Sequence, residues 1–202
     1  MIELNNVNKK YGDKVLFSNY NLHIAKGEFV VISGESGSGK TTLLNMIGAL
    51  ERIDSGQITV EGIDIMRRRN QLSYYRNTVG FLFQNFVLLE EKTVYQNLNM
   101  IRKGNRSTIS IQEALEKVGM SDFVNAKVYT LSGGEQQRIA LARLMVKKCD
   151  LILADEPTGS LDEKNAKKVM SILKQMNEKG TTIILVTHSE ELKQQGGRVI
   201  EL

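Results

Sequence analysis

Gly34-Glu35-Ser36-Gly37-Ser38-Gly39-Lys40-Thr41 follows the apolar run Phe29-Val30-Val31-Ile32 and precedes the helix-like stretch Leu43 to Leu50. Together these read as a strand, a glycine-rich turn and the start of a helix. Glycines at 34, 37 and 39 let successive backbone N–H groups turn inward as a nest for phosphate oxygens, and the helix macrodipole adds positive potential at the same spot. Lys40 is the cation placed to reach β- and γ-phosphates, the Thr41 hydroxyl suits Mg²⁺, and Thr42 lies within reach of another phosphate oxygen. A flexible Gly/Ser turn is the plainer alternative; the strand before and the helix after weigh against it.

Upstream, short apolar stretches alternate with turns: Ile2 to Val7, Val15 to Ile24, then the strand at Phe29, separated by Tyr11-Gly12-Asp13 and Lys26-Gly27-Glu28. That is the pattern of β-rich packing. Tyr11 has a ring that can stack on a nucleotide base, although an aromatic beside a turn also serves as a surface anchor. Downstream, Gln57 to Val60 and Ile63 to Ile65 continue the strands, and Thr78 to Phe83 forms another that ends at Gln84. From about residue 86 to about 148 the pattern turns helical, with Ser110 and Glu113 spaced as a capping box ahead of Ala114, Leu115 and Val118. Phe86-Val87-Leu88-Leu89 is an apolar patch, either the core of this helical lobe or a docking surface. After 148 come a strand from Leu151 to Ala154, a helix face of Ala166, Val169, Met170 and Leu173 ended by Gly180, a buried strand from Thr181 to Thr187 and a short strand from Val199. This alternation predicts an α/β fold with a mostly parallel sheet, helices on both faces, and a helical insertion.

Leu151-Ile152-Leu153-Ala154-Asp155-Glu156 is an apolar strand ending in two carboxylates, as expected where a strand's C-terminal edge meets the phosphate loop. Asp155 would hold Mg²⁺ through its water shell, and Glu156 would accept a proton from the water attacking the γ-phosphate. The plainer reading is an acidic pair opening a turn at Pro157, the chain's only proline. Leu131-Ser132-Gly133-Gly134-Glu135-Gln136 runs into a helix from Gln137 to Lys148. Ser132 can cap it, Glu135 can complete a capping box, and Gly133 and Gly134 expose N–H groups at a positive helix end. Six fixed positions arise by chance in about 1 chain in 10⁵ at average composition, so a merely capped surface helix is the weaker reading. Two phosphate-binding helix starts in one chain suggest that each serves a different nucleotide in a dimer.

A chain of 202 residues is long enough to bury ~70% of its unfolded surface as one domain. The single Cys149 cannot form an intrachain bridge; Lys147 and Lys148 beside it would lower its pKa, but an ordinary reduced thiol before a strand is expected. A net charge of +4, from 27 Lys and Arg against 23 Asp and Glu, is too mild to argue for nucleic acid. Arg67-Arg68-Arg69 reads as a solvated helix edge, with anionic lipid or an acidic partner surface as the alternative. No apolar run approaches the ~18 residues of a membrane span, and the start does not resemble a signal peptide, so a soluble chain at a cytosolic face is expected.

In this order the motifs make the chain resemble an ABC-transporter ATPase subunit over essentially its whole length. The resemblance implies a P-loop NTPase core with an N-terminal antiparallel β subdomain, over about 1–85 and 149–202, and an inserted helical subdomain over about 86–148. It implies ATP and Mg²⁺ as ligands. Tyr11 would then stack on adenine, and Gly34, Ser36, Gly37, Ser38, Gly39, Lys40, Thr41 and Thr42 form the P-loop. Gln84 would lie near Mg²⁺ and the transmembrane partner, with Thr41 and Asp155 as the other metal-side residues. Ser132, Gly133, Gly134 and Glu135 belong to the signature that meets nucleotide. Asp155 and Glu156 are the Walker B pair, Ser160-Leu161-Asp162 the D-loop, and His188, in Val186-Thr187-His188-Ser189, the switch histidine at the γ-phosphate. Lys40, Gln84, Glu156 and His188 are the implied catalytic set.

Val79 to Gln84, Leu131 to Arg138 and Ala154 to Gly159 are similar to the group serving macrolide export, lipoprotein release, antimicrobial-peptide export and division-site regulation. The chain departs from that pattern at Glu90 and Cys149, where relatives often carry proline. The expected protein is an ATPase that dimerises head to tail around two nucleotides at the cytoplasmic face of the membrane. It would energise export of a peptide, lipophilic compound or antibiotic through a separate permease, without nucleic acid. Three alternatives stand beside it: a division-type regulatory ATPase; a nucleic-acid repair ATPase, against which stands the lack of a coiled-coil or zinc insertion; and a P-loop kinase, against which stand the signature and the Asp155-Glu156 pair.

Overall fold

The computed structural model describes residues 1–159, 161–195 and 197–202. Two long strands, β1 (Ile2–Tyr11) and β2 (Lys14–Ile24), fold back on each other at Gly12; β3 (Phe29–Ser33) leads through the glycine loop into α1 (Lys40–Ile47). β4 (Ser55–Val60) and β5 (Ile63–Asp64) return to complete an antiparallel sheet of order β2-β1-β4-β5. Then come α2 (Arg68–Asn77), β6 (Val79–Leu82), α3 (Val94–Asn99), α4 (Ile111–Val118) and α5 (Gly133–Val146). The chain ends with β7 (Leu151–Asp155), α6 (Glu163–Glu178), β8 (Thr182–Val186), α7 (Glu190–Gln195) and β9 (Arg198–Glu201). A second sheet, of order β6-β7-β8-β3-β9, is parallel throughout.

The parallel sheet separates two apolar cores, and the two-residue period of a strand feeds both. Val31, Ile152, Ala154, Ile183 and Leu185 point to the core shared with α3 to α6, whereas Val30, Ile32, Leu151, Leu153, Ile184 and Val186 point to the core shared with α1 and the antiparallel sheet. Because both faces are buried, β3, β7 and β8 read as unbroken apolar runs rather than alternating ones.

The helical stretch is more broken than its sequence pattern predicts. Residues 84–92 contain no helix, and α3, α4 and α5 are separate pieces, each started by its own reciprocal cap: Thr93 with Gln96, Ser110 with Glu113, and Ser132 with Glu135. Gly119, left-handed at φ 69°, closes α4. Side chains alternate through the apolar patch: Phe86 and Leu88 pack on the helical-side core, while Val87 and Leu89 are 52% and 48% exposed. The full extent of α2 is hidden in the sequence because Tyr74 is its one buried side chain; its hydroxyl donates to the Ile47 carbonyl at 2.8 Å. Arg67, just before α2, pairs with Asp64 at 3.1 Å, and Arg68 and Arg69 are solvated as expected. Among the described residues no helix is long and apolar enough to cross a membrane.

At Gly80 in β6, an added Cβ would lie 2.4 Å from Leu144 Cδ1 and 2.9 Å from Cys149 Sγ. Gly80→Ala is therefore expected to lower stability by about 1–3 kcal/mol through overpacking, read as a shifted urea midpoint. An unmoved midpoint would mean that Leu144 and Cys149 yield without cost.

Candidate functional site

Because β3, β6, β7 and β8 run parallel, their C-terminal ends open at one edge. There β3 delivers the glycine loop, β6 delivers Gln84, β7 delivers Asp155 and Glu156, and β8 delivers Thr187 and His188. The β1–β2 hairpin adds Tyr11, Lys14 and Leu16. Tyr11, Ser36, Gly37, Gly39, Lys40, Thr41, Thr42, Gln84, Asp155, Glu156 and His188 all line one cavity of about 560 Å³, a size that suits a small-molecule ligand.

The loop is left-handed at Gly37 (φ 79°) and Gly39 (φ 105°), the latter being the N-cap of α1 and making no side-chain cap bond. The first N–H groups of α1 are thus left for an anion. Gly34 lies beneath the loop rather than on the cavity wall: a Cβ there would meet the Leu202 carbonyl oxygen at 2.4 Å. Ser38 is likewise not on the wall, and its Oγ is buried without a hydrogen-bond partner among the described residues. Lys40 is 5% exposed and donates from Nζ to the Gly34 and Glu35 carbonyls at 2.8 and 2.6 Å. Uncapped N–H groups and a folded-back ammonium are the donors a polyphosphate requires.

Burial pushes the Asp155 carboxyl above its usual range, against the opposing effects of a hydrogen bond with Thr41 and the nearby Lys40 and His188. A divalent cation beside it would reverse that shift. The donors available, the Thr41 hydroxyl, the Gln84 amide oxygen and the Asp155 carboxylate, are hard oxygens of the kind that suit Mg²⁺.

Glu156 stands in a left-handed turn (φ 44°), an uncommon conformation for a residue with a side chain. Its Oε1 accepts the His188 backbone N–H at 2.8 Å and its Oε2 the Thr187 hydroxyl at 3.2 Å, while the His188 Nε2 lies 3.8 Å from Oε1. Tyr11 is 48% exposed, with the Lys9 ammonium 4.6 Å from its ring centroid, and Lys9 is itself anchored on Glu51 at 2.5 Å. If that ring stacks on a base, Tyr11→Ala should weaken ATP binding by roughly 1–2 kcal/mol, a magnitude taken from base–aromatic stacking. Titration of the variant with ATP checks this; an unchanged dissociation constant returns Tyr11 to the role of a surface anchor.

Ser132, Gly133, Gly134 and Glu135 do not line this cavity. Glu135 Oε2 accepts both the Ser132 N–H (2.8 Å) and the Ser132 hydroxyl (2.7 Å), and these bonds hold its carboxyl below the usual range. Ser132 and Gly133 are exposed, so the start of α5 faces outward. Of the stretch Ser160-Leu161-Asp162, Ser160 lies outside the described residues; Asp162 caps α6 by accepting the Asn165 N–H at 2.9 Å. Sequence reasoning missed Lys14 and Leu16 on the cavity wall. Lys14 donates to the Gly37 carbonyl at 3.1 Å, and the available signal was a cation placed directly after the Tyr11-Gly12-Asp13 turn. Burial pushes the Cys149 thiol up to about 11, so its lysine neighbours do not activate it.

A family model described as ABC transporter matches residues 17–159, a stretch that holds the glycine loop, Gln84, the Ser132 cap, Asp155 and Glu156 but not Tyr11 or His188. The chain is 39% identical to the macrolide export ATP-binding/permease protein MacB of Campylobacter jejuni, covering 100% of this chain and 33% of that protein. It is 42% identical to the glutamine transport ATP-binding protein GlnQ of Bacillus subtilis, covering 93% of this chain and 80% of that one. Its fold matches the dimeric post-hydrolysis structure of the ATP-binding cassette MJ0796 of Methanocaldococcus jannaschii, bound to ADP and Pi, with a TM-score of 0.87, 36% identity and coverage of 100% of this chain and 94% of that one.

Proposed function

We propose that this chain, which belongs to the ABC transporter family and is an ATPase, energises export through a separate membrane permease, working at the cytoplasmic face as a head-to-tail dimer. The observation that carries the dimer is the outward-facing start of α5: the Ser132 helix end lies apart from the cavity that gathers Tyr11, Lys40, Gln84, Asp155, Glu156 and His188. A second copy can bring its own Ser132, Gly133, Gly134 and Glu135 to the γ-phosphate over Lys40. The dimeric cassette MJ0796 supports this reading.

In the reaction, the adenine ring stacks on Tyr11 and the phosphates enter the loop from Ser36 to Thr42. Lys40 exchanges its two carbonyl partners for β- and γ-phosphate oxygens. Thr41, Gln84 and Asp155 are the residues that would hold Mg²⁺, which neutralises phosphate charge when bound. Glu156 accepts the proton of the attacking water, and His188, a neighbour of both Glu156 and the cavity, donates to the γ-phosphate. Relatives named for macrolide export and for glutamine transport are similar to nearly the same degree, which supports placing cargo chemistry in the membrane partner.

The helical stretch from 86 to 148 is the lobe that meets that partner, through exposed Val87 and Leu89. Leu89→Ser is expected to leave the ATPase rate of the purified chain within about twofold. Co-purification of an integral membrane protein should fall roughly tenfold, the equivalent of about 1.4 kcal/mol. Undiminished capture of the same membrane protein would remove this face from the interface, and capture of none by the parent chain would argue against the permease reading.

A further inference from the structure

α5 does more than present Ser132. Near its start Gln137, 1% exposed, donates from Nε2 to the Pro157 carbonyl at 2.7 Å, immediately after Glu156; its Oε1 is buried with no partner among the described residues. Towards its end the two arms of the Arg143 guanidinium donate to the carbonyls of Phe86, at 2.9 Å, and Val87. Those carbonyls belong to the bend that follows Gln84. Phe86 (φ 60°) and Val87 (φ 50°) are both left-handed there, and for β-branched Val87 that is a conformation its own backbone does not favour. A short local bond, Val87 N–H to the Asn85 carbonyl at 2.6 Å, accompanies the bend, but the fork from α5 spans it. No carboxylate pairs with Arg143 among the described residues, so these carbonyls are its partners.

We infer that α5 is a strut that links the nucleotide bound against its Ser132 end to this chain's own Gln84 and Glu156, with Arg143 and Gln137 as the positioning residues that grip the two catalytic loops. The inference rests on the two-chain site proposed above. A helix moves as a rigid piece, so a shift of its capped end when that end meets a partner-bound phosphate carries Pro157 and the Phe86–Val87 bend with it. The strained bend gives a restoring tendency, and the unpaired Gln137 Oε1 is an acceptor available to a second arrangement.

Arg143→Met keeps the apolar stem and removes both donors. ATP hydrolysis by this variant should show kcat down roughly tenfold, in the range of ordinary coupling between sites, with ATP affinity of the monomer within about twofold of wild type. The Hill coefficient in ATP should fall from above 1 in wild type to about 1, a readout that loss of folded protein does not move. Arg143→Lys, which retains the charge and one of the two bonds, should fall between. A Hill coefficient and kcat unchanged in Arg143→Met overturn the strut. If Arg143→Met binds less than one ATP per chain, Arg143→Lys decides: intermediate values support the strut and wild-type values overturn it. A wild-type Hill coefficient of about 1, with no ATP-driven dimer of Glu156→Gln, overturns the two-chain site and the strut together, whereas cooperativity in wild type that survives in Arg143→Met overturns the strut alone.

Discussion

Glu156→Gln is expected to cut turnover by roughly 10²–10⁴-fold while leaving ATP binding intact. The amide keeps an oxygen for the His188 N–H, and the Thr187 hydroxyl can turn to accept from the new NH₂, so the pocket geometry survives while the proton acceptor is lost. ATP should then persist between two chains, and the variant should run as a dimer on size exclusion with ATP and Mg²⁺ but not with ADP. Adding Ser132→Arg should return it to monomer, because a bulky cation fills the phosphate's place and removes the cap that Glu135 orients. A Glu156→Gln protein that stays monomeric at high ATP and high protein concentration, or a dimer indifferent to Ser132→Arg, would argue for a self-contained site in one chain.

Lys40→Ala should lower kcat by at least ~10²–10³-fold, the order lost when a preorganised donor to developing charge is removed. Lys40 is the one nearly buried cation on the cavity wall among the described residues, and its Nζ already donates to the Gly34 and Glu35 carbonyls of the loop. Lys40→Met, which keeps the stem that fills the site, should match the Ala variant in activity while retaining the wild-type thermal midpoint. That comparison separates lost charge from lost packing. Hydrolysis near the wild-type rate in either variant would refute the role of the loop in positioning phosphate.

The parts of the site legible in the sequence are those written in short-range pattern. The glycine loop, the Ser132–Glu135 cap and the two carboxylates ending an apolar strand each depend on neighbours within a few residues, and parallel pairing then brings the strand ends together. Arg143 and Gln137 were not legible, because they bond carbonyls 57 and 20 residues away and a carbonyl leaves no trace in a residue code. The left-handed turns at Phe86, Val87 and Glu156 were also hidden, since no glycine marks them. The extent of α2 beyond the Arg67–Arg69 edge was hidden for a different reason: its apolar content is too low for periodicity to register, although the Tyr74 hydroxyl that holds it makes a polar contact.

The two cores on opposite sides of the parallel sheet give the chain two nearly independent ledgers of mutation. Consecutive residues such as Ile152 and Leu153 belong to different cores, so a change at one is felt by α3 to α6 and a change at its neighbour by α1 and the antiparallel sheet. Substitutions can therefore accumulate on the helical side while the other side continues to hold the glycine loop still.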